Sequence, residues 1–131
     1  MIDLGLERGS VVYIAYPYAR DPARSRGVCR AVSRRLVEAG YVPLAVQLLL
    51  PQYLDEGTER ETAMAQCLAL LRSCDALLVV GGDVTEGMRA EVAWAENAPL
   101  LPIPIRHASE LDAAGPEPSE GWVAYGRVKG E

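Results

Sequence analysis

The sequence predicts a single α/β domain in which a parallel sheet of about five strands has helices on both faces, a doubly wound arrangement. Over the first hundred residues, short apolar runs rich in β-branched residues alternate with segments of helical periodicity. The run ALLVV, residues 76–80, is apolar throughout, as a central parallel strand covered on both faces should be. With 131 residues, half of them hydrophobic, the chain fits one domain over residues 1–131, in which 1–10 and 113–120 are irregular.

The first half of the chain has the signals of a strand, a helix and a second strand. VVYIA, residues 11–15, predicts the first strand. Asp21 followed by Pro22 predicts a helix N-cap with proline at the first helical position, and this helix ends at Gly40. YVPLAV, residues 41–46, predicts the second strand, and Pro43 places it at a strand start or a sheet edge.

The second half continues the alternation after an unusually apolar loop, QLLLPQYLDEG, at residues 47–57. TERE, residues 58–61, fits a capping box and predicts a helix to about Ser73. ALLVV precedes the helix TEGMRAEVAWAE, residues 85–96, and LLPIPI and GWVAYGRV are the last strand candidates. The order is that of a flavodoxin-like or Rossmann-like sheet, whose ligands bind beyond the carboxyl ends of the strands.

Composition excludes several classes of function. A net charge of −5 disfavours nucleic-acid binding, and no apolar run approaches the roughly 20 residues of a membrane span. The N-terminus lacks the features of a signal peptide, so we expect a cytoplasmic protein. The three cysteines form no C-x-x-C pair, and His107 is the only histidine, so we expect no disulfide framework, metal or cofactor.

The helix at residues 85–96 carries an acid on its apolar face. At ~100° per residue, Glu91 lies near the centre of the half that holds Met88, Val92 and Ala95. Helical side chains lean toward the N-terminus, so Glu91 projects over Gly87 toward the crevice. Burying an unpaired carboxylate is costly. Glu91 is therefore either a structural acid that accepts from a tyrosine or a working one.

The crevice at the strand ends gathers further candidates for ligand binding. Thr85 is the expected N-cap of the helix, and Gly87 gives a ligand access to the unpaired first-turn amides. Asp83 is a candidate general acid, although an aspartate at a helix start is an equally good interpretation. The remaining candidates follow the first strand or adjoin the helix start: Tyr16, Tyr18, Arg20, Arg24, Gly82 and Met88.

Two motifs, in order and at these positions of the fold, resemble the nucleoside 2-deoxyribosyltransferase-like superfamily. They are Tyr13-Ile14-Ala15 in the first strand and Thr85-x-Gly87-x-x-x-Glu91 at the helix after the central strand. The resemblance spans residues 11–105, and in detail it is similar to a small group of phage and bacterial members. It implies that the glutamate attacks the anomeric carbon, that Tyr13 holds this glutamate, and that the helix start binds sugar hydroxyls or phosphate.

Two positions depart from the superfamily pattern. Relatives have an aspartate, assisting base protonation or binding, where this chain has Cys67, and a small residue where it has Tyr16. Asp83 is a possible substitute for the missing acid. The resemblance therefore leaves open an enzyme that acts on the N-glycosidic bond of a nucleoside or nucleoside 5′-monophosphate and a module that binds such a molecule without turnover. It also implies a homodimer or a higher homo-oligomer.

Overall fold

The sheet of this protein has five strands in the computed structural model, which describes residues 2–81, 84–97, 100–107 and 122–127. Its strands are β2 (Val11–Ala15), β3 (Val42–Leu44), β4 (Ala76–Val79), β5 (Leu100–Ile103) and β7 (Val123–Arg127). They are hydrogen-bonded in the order β3-β2-β4-β7-β5. A separate antiparallel pair joins β1 (Ile2–Asp3) to β6 (Arg106–His107), so a short strand lies within the first ten residues, which the sequence predicted to be irregular.

The described helices are α1 (Pro22–Glu38), α2 (Val46–Leu49), α3 (Arg60–Arg72) and α4 (Glu86–Asn97). Asp21 is the N-cap of α1, and its carboxylate accepts the Arg24 N–H at 3.1 Å, as predicted. Gly40, just beyond α1, has φ +93°, a left-handed conformation that glycine adopts without strain. No helix in the described ranges is long and apolar enough to cross a membrane.

The sheet is mixed, so the prediction of a wholly parallel sheet is wrong for its last strand. β2 pairs in parallel with both β3 and β4, whereas β7 lies antiparallel between β4 and β5. Parallel neighbours require a crossover connection, but antiparallel neighbours do not. The apolar pattern of GWVAYGRV marks a strand and does not encode its direction, which explains the error.

Alternating side chains of the central strands form two core layers. Val12 and Ile14 pack in one layer with Val32 of α1, while Tyr13 packs in the other layer with Leu71 of α3. Met88 and Ala95 of α4 belong to the second layer. Successive residues of a strand point to opposite faces. Helices therefore cover both faces of the sheet, and α3 and α4 share the face that Tyr13 enters.

The segment between β3 and α3 differs from its prediction. Its apolar part forms α2 and a 3₁₀ turn, Leu50–Gln52, instead of a loop. The capping box at Thr58 is also absent, because α3 begins at Arg60 and no side chain caps it. Asp55 instead stabilises the turn that precedes α3. Its Oδ1 accepts the N–H groups of Gly57 and Thr58 at 2.8 and 3.1 Å.

Candidate functional site

A cavity of about 180 Å³ lies at the carboxyl ends of β2 and β3, beside the start of α4. This is where the sequence predicted a ligand crevice. Its walls come from the residues after β2, from α2 and the 3₁₀ turn, and from one face each of α3 and α4. The polar residues that line it are Tyr16, Tyr18, Arg20, Gln47, Glu56, Arg60, Cys67, Thr85 and Glu91.

Glu91 and Tyr13 form a buried pair at the wall of this cavity. The Tyr13 hydroxyl donates a hydrogen bond to Glu91 Oε2. Tyr13 is fully buried, whereas Glu91 is 8% exposed and lines the cavity. Tyr13 therefore holds the Glu91 carboxylate from the side of the sheet, and the opposite side of the carboxylate borders the cavity.

The environment of Glu91 brings its titration close to neutral pH. Burial raises the pKa of the Glu91 carboxyl to about 7, although the hydrogen bond from Tyr13 opposes that rise. Burial and the nearby Glu91 also raise the pKa of Tyr13, so the phenol keeps its proton and acts as the donor. At neutral pH Glu91 is thus divided between its acid and its carboxylate, the range in which a carboxyl serves acid and base chemistry.

Cys67 adjoins this pair from α3. Its thiol interacts with the Tyr13 hydroxyl, and burial raises the pKa of the thiol. The side chain that faces the cavity here is consequently a neutral thiol.

Gln47 presents an acceptor that has no partner within the described part of the chain. Its Nε2 donates to the backbone oxygens of Ile14 and Tyr16 at 3.2 and 3.1 Å, and these two acceptors fix the orientation of the amide. The residue is 7% exposed, and none of the described residues donates a hydrogen bond to its buried Oε1. A buried acceptor of this kind normally has a donor. Because Gln47 lines the cavity, a ligand N–H or O–H group can supply that donor.

The first turn of α4 forms another part of the wall. Thr85 Oγ1 accepts the Met88 N–H at 3.4 Å, a long capping bond, and Thr85 O accepts the Arg89 N–H at 3.0 Å. A Cβ added to Gly87 would have Arg60 Nη2, at 3.8 Å, as its nearest neighbour, an ordinary contact. Protein packing therefore does not require glycine here, and the missing side chain leaves room beside the helix start.

The structure brings most of the predicted site residues together. Those that line the cavity are Tyr16, Tyr18, Arg20, Thr85, Gly87, Met88 and Glu91. Arg24 is absent from the lining and is exposed, and its Nε donates to the Tyr16 hydroxyl at 3.4 Å. Arg24 thus contacts a wall residue, and its predicted contact with substrate stays a prediction. Gly82 and Asp83 lie outside the described residues.

Three wall residues that the sequence did not single out as ligand contacts come from α3 and its approach. Arg60 Nη1 lies 3.5 Å from Glu56 Oε1, with the two side chains 52% and 45% exposed, and Cys67 follows two turns later. In the sequence, the i, i+4 spacing of Glu56 and Arg60 is typical of a solvated helix face. Only the packing of α3 beside α4 reveals that they face the cavity. In the described ranges, no three His, Cys, Asp or Glu side chains converge as a metal site would require.

We expect Tyr13→Phe to raise the pKa of Glu91 further above 7. The Tyr13 hydroxyl favours the ionised carboxylate, and losing a hydrogen bond to a charged group corresponds to a shift of about one pKa unit. The carboxyl carbon signal of Glu91, followed by NMR across pH, measures this shift. Tyr16→Phe is the matched control, since its hydroxyl bonds with Arg24, and it should leave the titration unchanged. An unchanged pKa in Tyr13→Phe would contradict the assigned hydrogen bond.

These features define an α/β domain with a mixed, open sheet and a cavity that contains a carboxylate at the carboxyl ends of its strands. The chain belongs to the family described as Domain of unknown function (DUF7768), whose model matches residues 10–107. No curated protein and no solved structure matches the chain. The matched residues include β2 to β5 and every described residue of the cavity wall.

Proposed function

We propose that this protein cleaves or transfers at the N-glycosidic bond of a (deoxy)nucleoside or nucleoside 5′-monophosphate, with Glu91 as the nucleophile. The observation that carries the proposal is the Glu91 carboxyl, hydrogen-bonded by buried Tyr13 and bordering a cavity. A polarised carboxyl at a cavity wall with a strongly shifted pKa is a candidate catalytic group.

The chemistry requires a carboxylate beneath the sugar. When the bond between the base nitrogen and the anomeric carbon breaks, its electron pair leaves with the base and positive charge develops on the sugar. Glu91 Oε forms a bond to that carbon, while the base takes a proton from solvent. Water or a second base nitrogen then attacks the same carbon and gives up its proton to solvent, while the bond to Glu91 breaks and releases the carboxylate. Water gives hydrolysis and a base gives transfer.

The other walls of the cavity suit a nucleoside-sized molecule. Gln47 Oε1 accepts a hydrogen bond from an N–H or O–H group, and Tyr16 and Tyr18 offer aromatic surface to a base or sugar. Thr85 and the first turn of α4 supply donors to sugar hydroxyls or phosphate, and Arg20 supplies positive charge. These features suit a ligand that consists of one polar ring system with an attached anion or hydroxyl group.

The proposal places the chain with the nucleoside 2-deoxyribosyltransferase-like superfamily and its doubly wound, flavodoxin-like or Rossmann-like fold class. Helices on both faces of the sheet and the pairing of Tyr13 with Glu91 support this placement. The neutral thiol of Cys67, where that superfamily has an acid, favours the second candidate function, a non-catalytic nucleotide-binding sensor.

Chromatography separates the two candidates. The wild-type protein is incubated with the deoxynucleosides and their 5′-monophosphates, and the free base is quantified. Base release that increases with protein concentration supports the enzyme. Thermal stabilisation by the same compounds without any product supports the sensor. The absence of both stabilisation and product contradicts both candidates.

A homodimer or higher homo-oligomer and a cytoplasmic location are parts of this proposal. Leu49 and Tyr53, between β3 and α3, are 41% and 59% exposed, and Leu50, Pro51 and Leu54 of the same segment line the cavity. Exposed apolar groups of this kind suit a contact between subunits next to the site. A dimeric mass by light scattering at micromolar concentration supports this part of the proposal, and a monomeric mass contradicts it.

A further inference from the structure

Arg60 lies beside the start of α4, at the wall of the cavity. Its Nη2 lies 3.8 Å from the position that a Cβ of Gly87 would occupy, and both residues line the cavity. A guanidinium and the N-terminal end of a helix both attract anions. Two donor groups from different helices thus border the same space.

Among the described residues, the Arg60 guanidinium pairs with Glu56, and this ion pair is weak. Glu56 Oε1 lies 3.5 Å from Arg60 Nη1, and both side chains are about half exposed. Ion pairs of this kind contribute little to stability, because water screens them and long side chains lose entropy. The pair is therefore easily exchanged when a better anion reaches Arg60.

The spacing along α4 matches the dimensions of a nucleotide. Gly87 and Glu91 are four residues apart on one helix face, which corresponds to roughly 6 Å along the helix axis. In a nucleoside 5′-monophosphate, the anomeric carbon and the phosphate lie at opposite edges of one sugar ring, a separation of the same order. With the anomeric carbon at Glu91, the phosphate falls beside Gly87 and Arg60.

A second, independent observation points to a ligand in the cavity. Gln47 is more than nine-tenths buried and lines the cavity, and its Oε1 has no donor in the ranges that the structure describes. A fully ionised phosphate has no proton to donate to this acceptor. Gln47 therefore contacts another part of the ligand. The ligand must combine a hydrogen-bond donor with an anion.

We propose that Arg60, with the first-turn amides of α4, is the specificity-determining group that binds the phosphate of a nucleoside 5′-monophosphate. Glu56 pairs with Arg60 when no phosphate is bound. The inference rests on the proposed function and adds to it a preference for phosphorylated substrates over nucleosides. Arg60 acts on binding and takes no part in breaking the glycosidic bond.

Titration calorimetry with paired ligands tests the inference. Each deoxynucleoside and its 5′-monophosphate are titrated into full-length Glu91→Gln protein, which prevents turnover, and the ratio of the two Kd values is measured. We expect the monophosphate to bind at least about tenfold more tightly. Adding Arg60→Gln should remove most of that ratio, Arg60→Lys should retain part of it, and Glu56→Gln should increase it.

Arg72→Gln, at the far end of α3, is the matched control and should leave the ratio unchanged. Thermal unfolding of each variant establishes that it is folded. A ratio near one before Arg60 is changed, or a ratio that Arg60→Gln does not alter, overturns the inference. Failure of every pair to bind overturns both the inference and the proposed function. Phosphate preference that depends on Arg60, without base release by the wild type, keeps the inference and overturns the glycosidic proposal.

Discussion

Glu91→Gln should lower the rate of base release by about a thousandfold or more, equivalent to about 4 kcal/mol of lost transition-state stabilisation. The amide still accepts a hydrogen bond from Tyr13 and fills nearly the same volume. It has no negative charge to stabilise the sugar cation and is a poor nucleophile. This substitution should therefore remove activity without disturbing the fold. Chromatographic assay of free base at pH 8 measures the loss of activity.

Glu96→Gln is the matched control for this substitution. Glu96 lies on the same helix but is exposed, and it does not line the cavity. We expect its base release to remain within about twofold of the wild-type rate, as for surface changes away from a site. Base release by Glu91→Gln at a rate similar to that of the wild type would exclude Glu91 as the reacting group.

The same Glu91→Gln substitution should make the folded protein more stable above pH 7. The pKa of Glu91 is about 7 in the folded protein and 4.5 as its ordinary value, so the folded state binds a proton more tightly than the unfolded state. Stability from this group is complete below pH 4.5 and is lost as pH rises to 7. A neutral glutamine avoids that loss, and the gain is at most about 3 kcal/mol.

Urea unfolding at pH 5 and pH 8 measures this effect. The difference in free energy of unfolding between Glu91→Gln and the wild type should be larger at pH 8 than at pH 5. Glu96→Gln should differ from the wild type by less than about 0.5 kcal/mol at both values. A Glu91→Gln protein that is less stable than the wild type at pH 8 would mean that the carboxylate is favourably bound in the folded state.

Helical periodicity placed Glu91 on the apolar face of its helix, whereas the choice of Tyr13 as its partner came from the family resemblance, since the residue pattern left the tyrosine unspecified. Tyr13 enters one sheet face because strand residues alternate, and Glu91 lies on the apolar face of α4, so packing α4 on that sheet face brings them together. The position of the cavity followed from the strand order along the chain, since the carboxyl ends of β2, β3 and β4 meet at one edge. The orientation of Glu91 and the position of the cavity needed only local patterns.

Features that depend on how elements pack were beyond such patterns. Arg60 and Glu56 have the spacing of an exposed ion pair, and only the placement of α3 beside α4 puts them at the cavity. The capping box at Thr58 failed because Asp55 formed the competing turn. β7 was identified as a strand, but its antiparallel direction depends on how the chain returns from β5.

Covalent trapping tests the role of Glu91 most directly. A substrate whose sugar carries fluorine at the 2′ position forms a glycosyl-enzyme slowly and releases it more slowly still, because fluorine destabilises positive charge on the ring. Mass spectrometry of the intact protein and its peptides should then find one glycosyl group, attached to Glu91 and absent from Glu91→Gln. Release of base with no adduct, or an adduct on another residue, would contradict the assignment of Glu91 as the nucleophile.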